Sequence, residues 1–277
     1  MTTSTALLCV LALSQSAAGQ QQPAQDGNML AAKAFHVAAR RVLPSMVTIE
    51  TYGGIATGAR RGRIAGISKP GVGPTTGLII SEDGHILTST YNFRDKPPII
   101  TVILRSGEKH VAKIVGRDDK RRICLLKIKP TRKLPVAKQV PSDKLRIGQW
   151  AIAVGVGYGD FEPALSAGIV SALNRNKVGA VQTDANVSPA NYGGPLLTID
   201  GQIIGMCVPL HPSAKNATAG AEWYDSGIGF AVPVDDWSKY IKELTTPKPK
   251  KQANKPGSAK QAPNETRGGG TDQKKSH

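Results

Sequence analysis

The stretch Ala190-Asn191-Tyr192-Gly193-Gly194-Pro195-Leu196 sets a phenol at the head of a glycine pair. A tyrosine oxygen can act as a nucleophile, but it needs an activating base or a metal beside it, and the neighbouring sequence supplies neither. Outside the N-terminal helix, His85, His110 and His211 are the histidines of the folded region, and Ser89 and Ser188 are nearby hydroxyls. They are the material for a Ser–His pair; the plain alternative is that all are surface polar residues. His85 sits beside a turn signal and is expected to face solvent. His211 lies in the Pro-rich run Pro209-Leu210-His211-Pro212. No Cys/His cluster has zinc spacing, and no cofactor or metal is expected. Cys124 and Cys207 both fall in strand-like runs, so one disulfide and two buried thiols are both open.

The elements that must position these groups are short. Residues 29–43 read as one amphipathic helix with Leu30, Phe35, Ala38 and Val42 on one side, ended by Pro44. Strands are predicted at Met46–Thr51, Thr76–Ile80, His85–Thr88, Ile99–Leu104, Val111–Val115, Ile123–Ile128, Trp150–Val154, Gly168–Leu173, Val181–Thr183, Leu196–Thr198, Gln202–Val208 and Gly229–Val232. Asp83-Gly84 and Asp200-Gly201 are turn signals between apolar runs. A closing helix at Asp235–Leu244 has Asp235 or Asp236 as its N-cap. A dozen short strands with frequent turns point to an all-β sandwich or pair of barrels.

The ends differ in composition from this middle. Ala6–Leu13 is an apolar run followed by the small residues Ser16-Ala17-Ala18-Gly19, so residues 1–19 read as a signal peptide. The run is too short for a bilayer span of about 20 residues, and Leu8 before Cys9 speaks against a lipid anchor. Residues 20–28 read as a polar linker. Residues 52–74 hold seven glycines and the Arg60-Arg61-Gly62-Arg63 cluster, a long basic loop. Residues 246–277 hold eight Lys/Arg and two acids, a net of +6 out of +16 for the chain, and no apolar residue larger than alanine apart from proline. Such a tail cannot bury enough surface to fold alone and is expected to be disordered.

The order of segments resembles the HtrA/Deg family of trypsin-like serine proteases from about Ala34 to Tyr240. Val42-Leu43-Pro44-Ser45-Met46-Val47 looks like that family's entry helix and first strand. Gly77-Leu78-Ile79-Ile80-Ser81-Glu82-Asp83-Gly84-His85-Ile86-Leu87-Thr88 is similar to the stretch leading to its catalytic histidine. Leu145 to Trp150, Ser166 to Ala172 and Thr183-Asp184-Ala185 resemble parts of its second barrel, and Ile228 to Pro233 its closing strand. The resemblance implies a trypsin-like double β-barrel over residues 29–245, with an entry helix and a C-terminal helix. It also implies Ser, His and Asp side chains in attack, proton transfer and orientation.

None of the three stands where the resemblance puts it. The histidine position is Tyr91, the aspartate position Arg122 and the serine position Tyr192. A phenol, titrating near ~10, is a poor base at neutral pH, and an arginine would oppose an imidazolium. Asp118 and Asp119 are close by, but the family pattern expects an acid at Asp118 apart from the catalytic one. Asn191, Tyr192, Gly193 and Gly194 match the oxyanion loop; they could still bind a carbonyl, or the glycines could be kept by turn geometry alone. Tyr91 and Tyr192 are expected to stack or hydrogen-bond across the old cleft.

The expectation is therefore an exported, periplasmic or extracellular pseudoprotease that binds peptides or partner proteins. An active serine endopeptidase using displaced residues and a basic module for anionic polymers stay open beside it. The second rests on Lys109, Lys113, Arg117, Lys120, Arg121, Arg122, Lys127, Lys129, Arg132 and Lys133. The resemblance implies a homotrimer as a possible assembly. The family's PDZ domain is not expected, because the basic tail follows the barrels.

Overall fold

A computed structural model describes residues 22–52, 75–93, 96–156, 162–210 and 227–246. Hydrophobic alternation drives its first half. In β4 (Ile99–Leu104) every second side chain is buried, and β1 (Met46–Tyr52) buries Met46, Val47 and Ile49. β2 (Thr75–Ile79), β3 (His85–Ser89) and β7 (Ile123–Lys127) are buried over nearly their whole length because they are covered on both faces. With β5 (Lys109–Val111) and β6 (Lys113–Asp118) they form one antiparallel seven-stranded sheet in the order β5-β4-β1-β2-β3-β7-β6.

The single predicted strand Val111–Val115 is two strands. Ala112 lies between them, and its amide donates to Ile100 O at 2.8 Å. There the chain leaves its pairing with β4 and begins pairing with β7. The first sheet thus curls like a barrel whose two edges are joined through one residue, without a ladder between them. The second sheet does close: β8 (Trp150–Gly155), β9 (Ala164–Arg175), β10 (Ala180–Thr183), β11 (Pro195–Leu197), β12 (Ile203–Cys207) and β13 (Gly229–Pro233) make a barrel in the order β10-β13-β12-β11-β8-β9.

Three apolar clusters hold this together. Val47, Ile49, Val102, Cys124 and Leu126 fill the first sheet. Ala151, Val181, Leu196, Ile204 and Cys207 fill the barrel. Between the two lies a third, built from Leu78, Leu87 and Leu125 on one side and Ile152, Ile203 and Met206 on the other. Both helices pack on this shared core. Ala38, Ala39 and Val42 of α1 (Gln22–Val42) are buried in it, and Phe35 meets Trp150 edge to face at 5.2 Å. The helix starts at Gln22, so residues 22–28, expected as linker, are helical. In α2 (Trp237–Thr245) the N-cap is Asp236, whose Oδ1 accepts from the amides of Ser238 (2.8 Å) and Lys239 (3.3 Å). Cys124 and Cys207 are free thiols in separate sheet interiors, so no disulfide joins them. Burial pushes each thiol up to about 12. The segments expected as a signal peptide (residues 1–19), as a long basic loop (from residue 53 to 74) and as a disordered tail (from residue 247) lie outside the described residues.

Candidate functional site

The loop between β10 and β11 carries the glycine pair, and the amides of residues 191–194 all have acceptors inside the protein. The amides of Asn191 and Tyr192 both donate to Ser188 O, at 2.9 and 3.2 Å. Gly194 N donates to Asn191 O at 2.8 Å, and Gly193 N donates to Cys207 O at 2.9 Å. The Asn191 carboxamide oxygen closes the turn by accepting from Ser188 N and Oγ, both at 3.2 Å. All four amides of the expected oxyanion loop therefore have acceptors inside the protein. The alternative reading of the glycines, as a requirement of the turn, is the one the geometry satisfies.

The requirement comes from the neighbouring sheet. Gly193 has φ +85°, and a Cβ there would stand 2.2 Å from Thr76 O and 2.4 Å from Thr88 Oγ1. The buried Thr76 hydroxyl donates to Ala190 O at 3.0 Å and accepts from Val156 N at 2.8 Å. Thr88 Oγ1 donates back to Thr76 O at 2.8 Å. Strand β2 thus clamps the loop of the other sheet through one hydroxyl. Sequence reasoning missed Thr76; it stands at the head of a predicted strand, and a threonine there points on its own to no partner.

Tyr192 and Tyr91 come together. Their ring centroids are 5.3 Å apart at 66°, edge to face, a favourable aromatic arrangement. Both are buried, at 4% and 8% exposure. They pack in the same cluster as Val187, Cys207 and Ala231, which fills the second barrel. Tyr91 N donates to Ser89 Oγ at 3.2 Å.

Arg122 sits in the turn between β6 and β7 with φ +60°, and its carbonyl accepts from Thr90 N at 2.9 Å. The nearby Asp118 is buried, and its Oδ1 accepts from the amides of Lys120 (2.9 Å) and Arg121 (3.3 Å). It is spent on capping that turn. Arg121 reaches across to α2, donating to Glu243 at 3.1 Å and lying 5.2 Å over the Tyr240 ring.

The displaced candidates assemble differently from a triad. His85 Nδ1 is 2.9 Å from Ser81 Oγ and 3.1 Å from Asp83 Oδ1, so serine and aspartate compete for one ring nitrogen. In a triad the histidine spans its two partners with two nitrogens. His85 is also not solvent-facing: its side chain is 16% exposed, tucked into the β2–β3 turn. The Lys127 ammonium at 2.7 Å, then Ser81 and His85, hold the Asp83 carboxyl well below the usual carboxylate range. The Ser188 and Ser89 hydroxyls serve the loop and the Tyr91 amide respectively. His110 lies beside Glu108, its Nε2 3.0 Å from Oε1, and His211 falls outside the described residues. Among the described residues no group of three or more His, Cys, Asp or Glu could hold a metal ion. No described helix is long and apolar enough to cross a membrane.

Comparison with known proteins gives this geometry a setting. The sequence pattern of the trypsin-like peptidase domain matches residues 75–206. Over 164 residues the chain is 41% identical to a protein of Chlamydia trachomatis named "Probable periplasmic serine endoprotease DegP-like", covering 57% of this chain and 31% of that one. A protein of the same name from a Marinomonas species is 37% identical over 163 residues, covering 57% and 32%. The chain thus spans about a third of the length of the curated relatives it matches. Among solved structures, the HtrA-type protease AlgW with a tripeptide superposes with a TM-score of 0.58 at 25% identity, covering 76% of this chain and 63% of that one.

Proposed function

The chain belongs to the HtrA/Deg type of trypsin-like serine proteases, and from that premise we propose that it is an exported, periplasmic member that has given up peptide hydrolysis and acts by binding peptides or partner proteins. The observation that carries this reading is Tyr192: the residue at the nucleophile position is a buried phenol, packed edge to face on the phenol at the histidine position. Loss of one member of a triad already leaves only a residual ~10³–10⁴-fold catalysis over water, supplied by the oxyanion hole and binding. Here the amides of Asn191, Tyr192, Gly193 and Gly194 are bonded internally, the Tyr192 amide at the nucleophile position among them. The relatives are named as periplasmic proteins, and the apolar N-terminal run of this sequence agrees with export.

The two other readings have less behind them. The Ser81–His85–Asp83 group converges on one nitrogen and does not make a displaced triad. Of the cations expected to bind anionic polymers, Arg117, Arg121, Lys127 and Lys133 are each paired with a carboxylate.

Labelling the purified protein with a fluorophosphonate probe, alongside digestion of unfolded casein, tests the proposal. No label and no digestion are expected. The Tyr192→Ser variant is also expected to stay unlabelled, because Tyr91 and Arg122 supply neither base nor orienting carboxylate. Turnover by the unaltered chain would overturn the reading, and mapping the labelled side chain would identify the nucleophile.

A further inference from the structure

The outer face of the first sheet carries apolar side chains that stay in solvent. Register sets them side by side. Tyr52 stands opposite Ile99 across β1 and β4, and Val111 stands opposite Thr101 across β4 and β5, diagonal to Ile99. The inward residues of these strands, Ile49, Ile100 and Val102 among them, are buried, whereas Tyr52, Ile99 and Val111 are 51%, 51% and 73% exposed. The solvent side of an antiparallel sheet is ordinarily polar, so neighbouring tyrosine, isoleucine and valine there mark a contact surface. Lysines frame it. Lys109 lies opposite Ile103 on the same face. Lys113 follows Val111 by two positions across the buried Ala112, so it too points outward. Both are exposed, and neither is a member of the ion pairs among the described residues. Lys96, three residues before Ile99, is another exposed lysine outside those pairs. The acid among the outward positions of β1, β4 and β5 is Glu50, and it accepts a hydrogen bond from the Tyr52 hydroxyl.

We propose that this face rests on a bilayer containing anionic lipid, with Tyr52, Ile99 and Val111 entering the headgroup layer while Lys109 and Lys113 meet the phosphates. Both kinds of side chain suit that boundary: tyrosine joins an apolar ring to a polar hydroxyl, and lysine joins an apolar stem to a charged head. Shape and charge choose the occupant. The side chains stand out from the outer wall of a curled sheet. A flat bilayer meets such a wall directly, whereas a partner protein would have to supply a hollow. A second copy of a +16 chain would bring the same lysines together. Anionic headgroups supply the counter-charge that the lysines lack within the protein. The contact is peripheral, made by side chains that already face outward. It lies on the first sheet, whereas the tyrosine pair packs in the cluster of the second barrel, so it stands whether or not the cleft turns over peptide.

Co-sedimentation of the full chain with lipid vesicles tests the proposal. Binding is expected to vesicles of mixed phosphatidylglycerol and phosphatidylcholine, and about tenfold less to phosphatidylcholine alone. The variant Ile99→Ser/Val111→Ser keeps every charge, and both positions are exposed, so the fold is kept. It is expected to bind the mixed vesicles about tenfold more weakly. Lys109→Gln/Lys113→Gln is expected to weaken binding severalfold. The charge-matched control Lys144→Gln/Lys239→Gln, at exposed positions away from this face, is expected to bind as the unaltered chain does. Undiminished binding of the serine variant, or equal loss in the control, would reduce the effect to bulk charge and overturn the proposal, as would the absence of binding to the mixed vesicles. Self-association without vesicles that the serine variant abolishes, read by light scattering, would overturn it in favour of a second copy. Binding to a leucine–glutamate peptide with none to vesicles would overturn it in favour of an acidic protein.

Discussion

At the scale of single residues, the reading of Tyr91, Arg122 and Tyr192 as the triad positions rests on flanking runs, such as Ile86-Leu87-Thr88 before Tyr91 and Gly193-Gly194 after Tyr192, and the structure adds that the two tyrosines meet. What could not be located was the set of partners across space. Thr76 and Thr88 clamp Gly193 from a different sheet, more than a hundred positions away along the chain, and no local pattern encodes that contact. Gly193 is where it can be tested. A methyl group there meets Thr76 O at 2.2 Å in a backbone with φ +85°, so space and conformation both oppose it. Gly193→Ala is expected to cost about 3 kcal/mol or more, read as a lowered urea midpoint; a loss under about 0.5 kcal/mol would show that the loop relaxes freely.

At the scale of elements, hairpin signals were read more accurately than strand ends. Asp83-Gly84 marks the β2–β3 turn, where Gly84 has φ +98° and a Cβ would stand 2.7 Å from Ile128 O. The break between β5 and β6 was not legible, because Val111 to Val115 is uniformly strand-like and only pairing with two different neighbours divides it. The turn has an electrostatic role that sequence does not state. Asp83 ties it to β7 through Lys127, and its depressed titration contributes stability above about pH 4 that is lost as the pH falls and the carboxylate takes up a proton. Asp83 is 65% exposed, so solvent screening holds the effect below about 1 kcal/mol. Asp83→Asn is therefore expected to be slightly less stable than the unaltered chain at pH 7, with the gap narrower at pH 3 and closing only at still lower pH. Urea unfolding at the two pH values checks this, and a gap that widens in acid would contradict it.

At the scale of the whole molecule, the described residues up to Thr246 make one compact unit in spite of having two sheets. The third apolar cluster, shared between the sheets and both helices, is what makes them one. Calorimetry is accordingly expected to show a single unfolding transition, with Cys124 and Cys207 open to alkylation only through it; two resolved transitions would mean the sheets unfold independently. Fold class was readable from strand count and turns, whereas the closure of only the second sheet depends on pairings that sequence leaves unspecified. The clamp on the Ser188–Gly194 loop has a bearing on what the sequence must specify. Its acceptors and its steric stops belong to Thr76, Thr88, Val154 and Cys207, none of which would take part in a reaction. The loop's shape is thus maintained by residues other than the one at position 192, so the shape and the chemistry of that position are separable demands on the sequence.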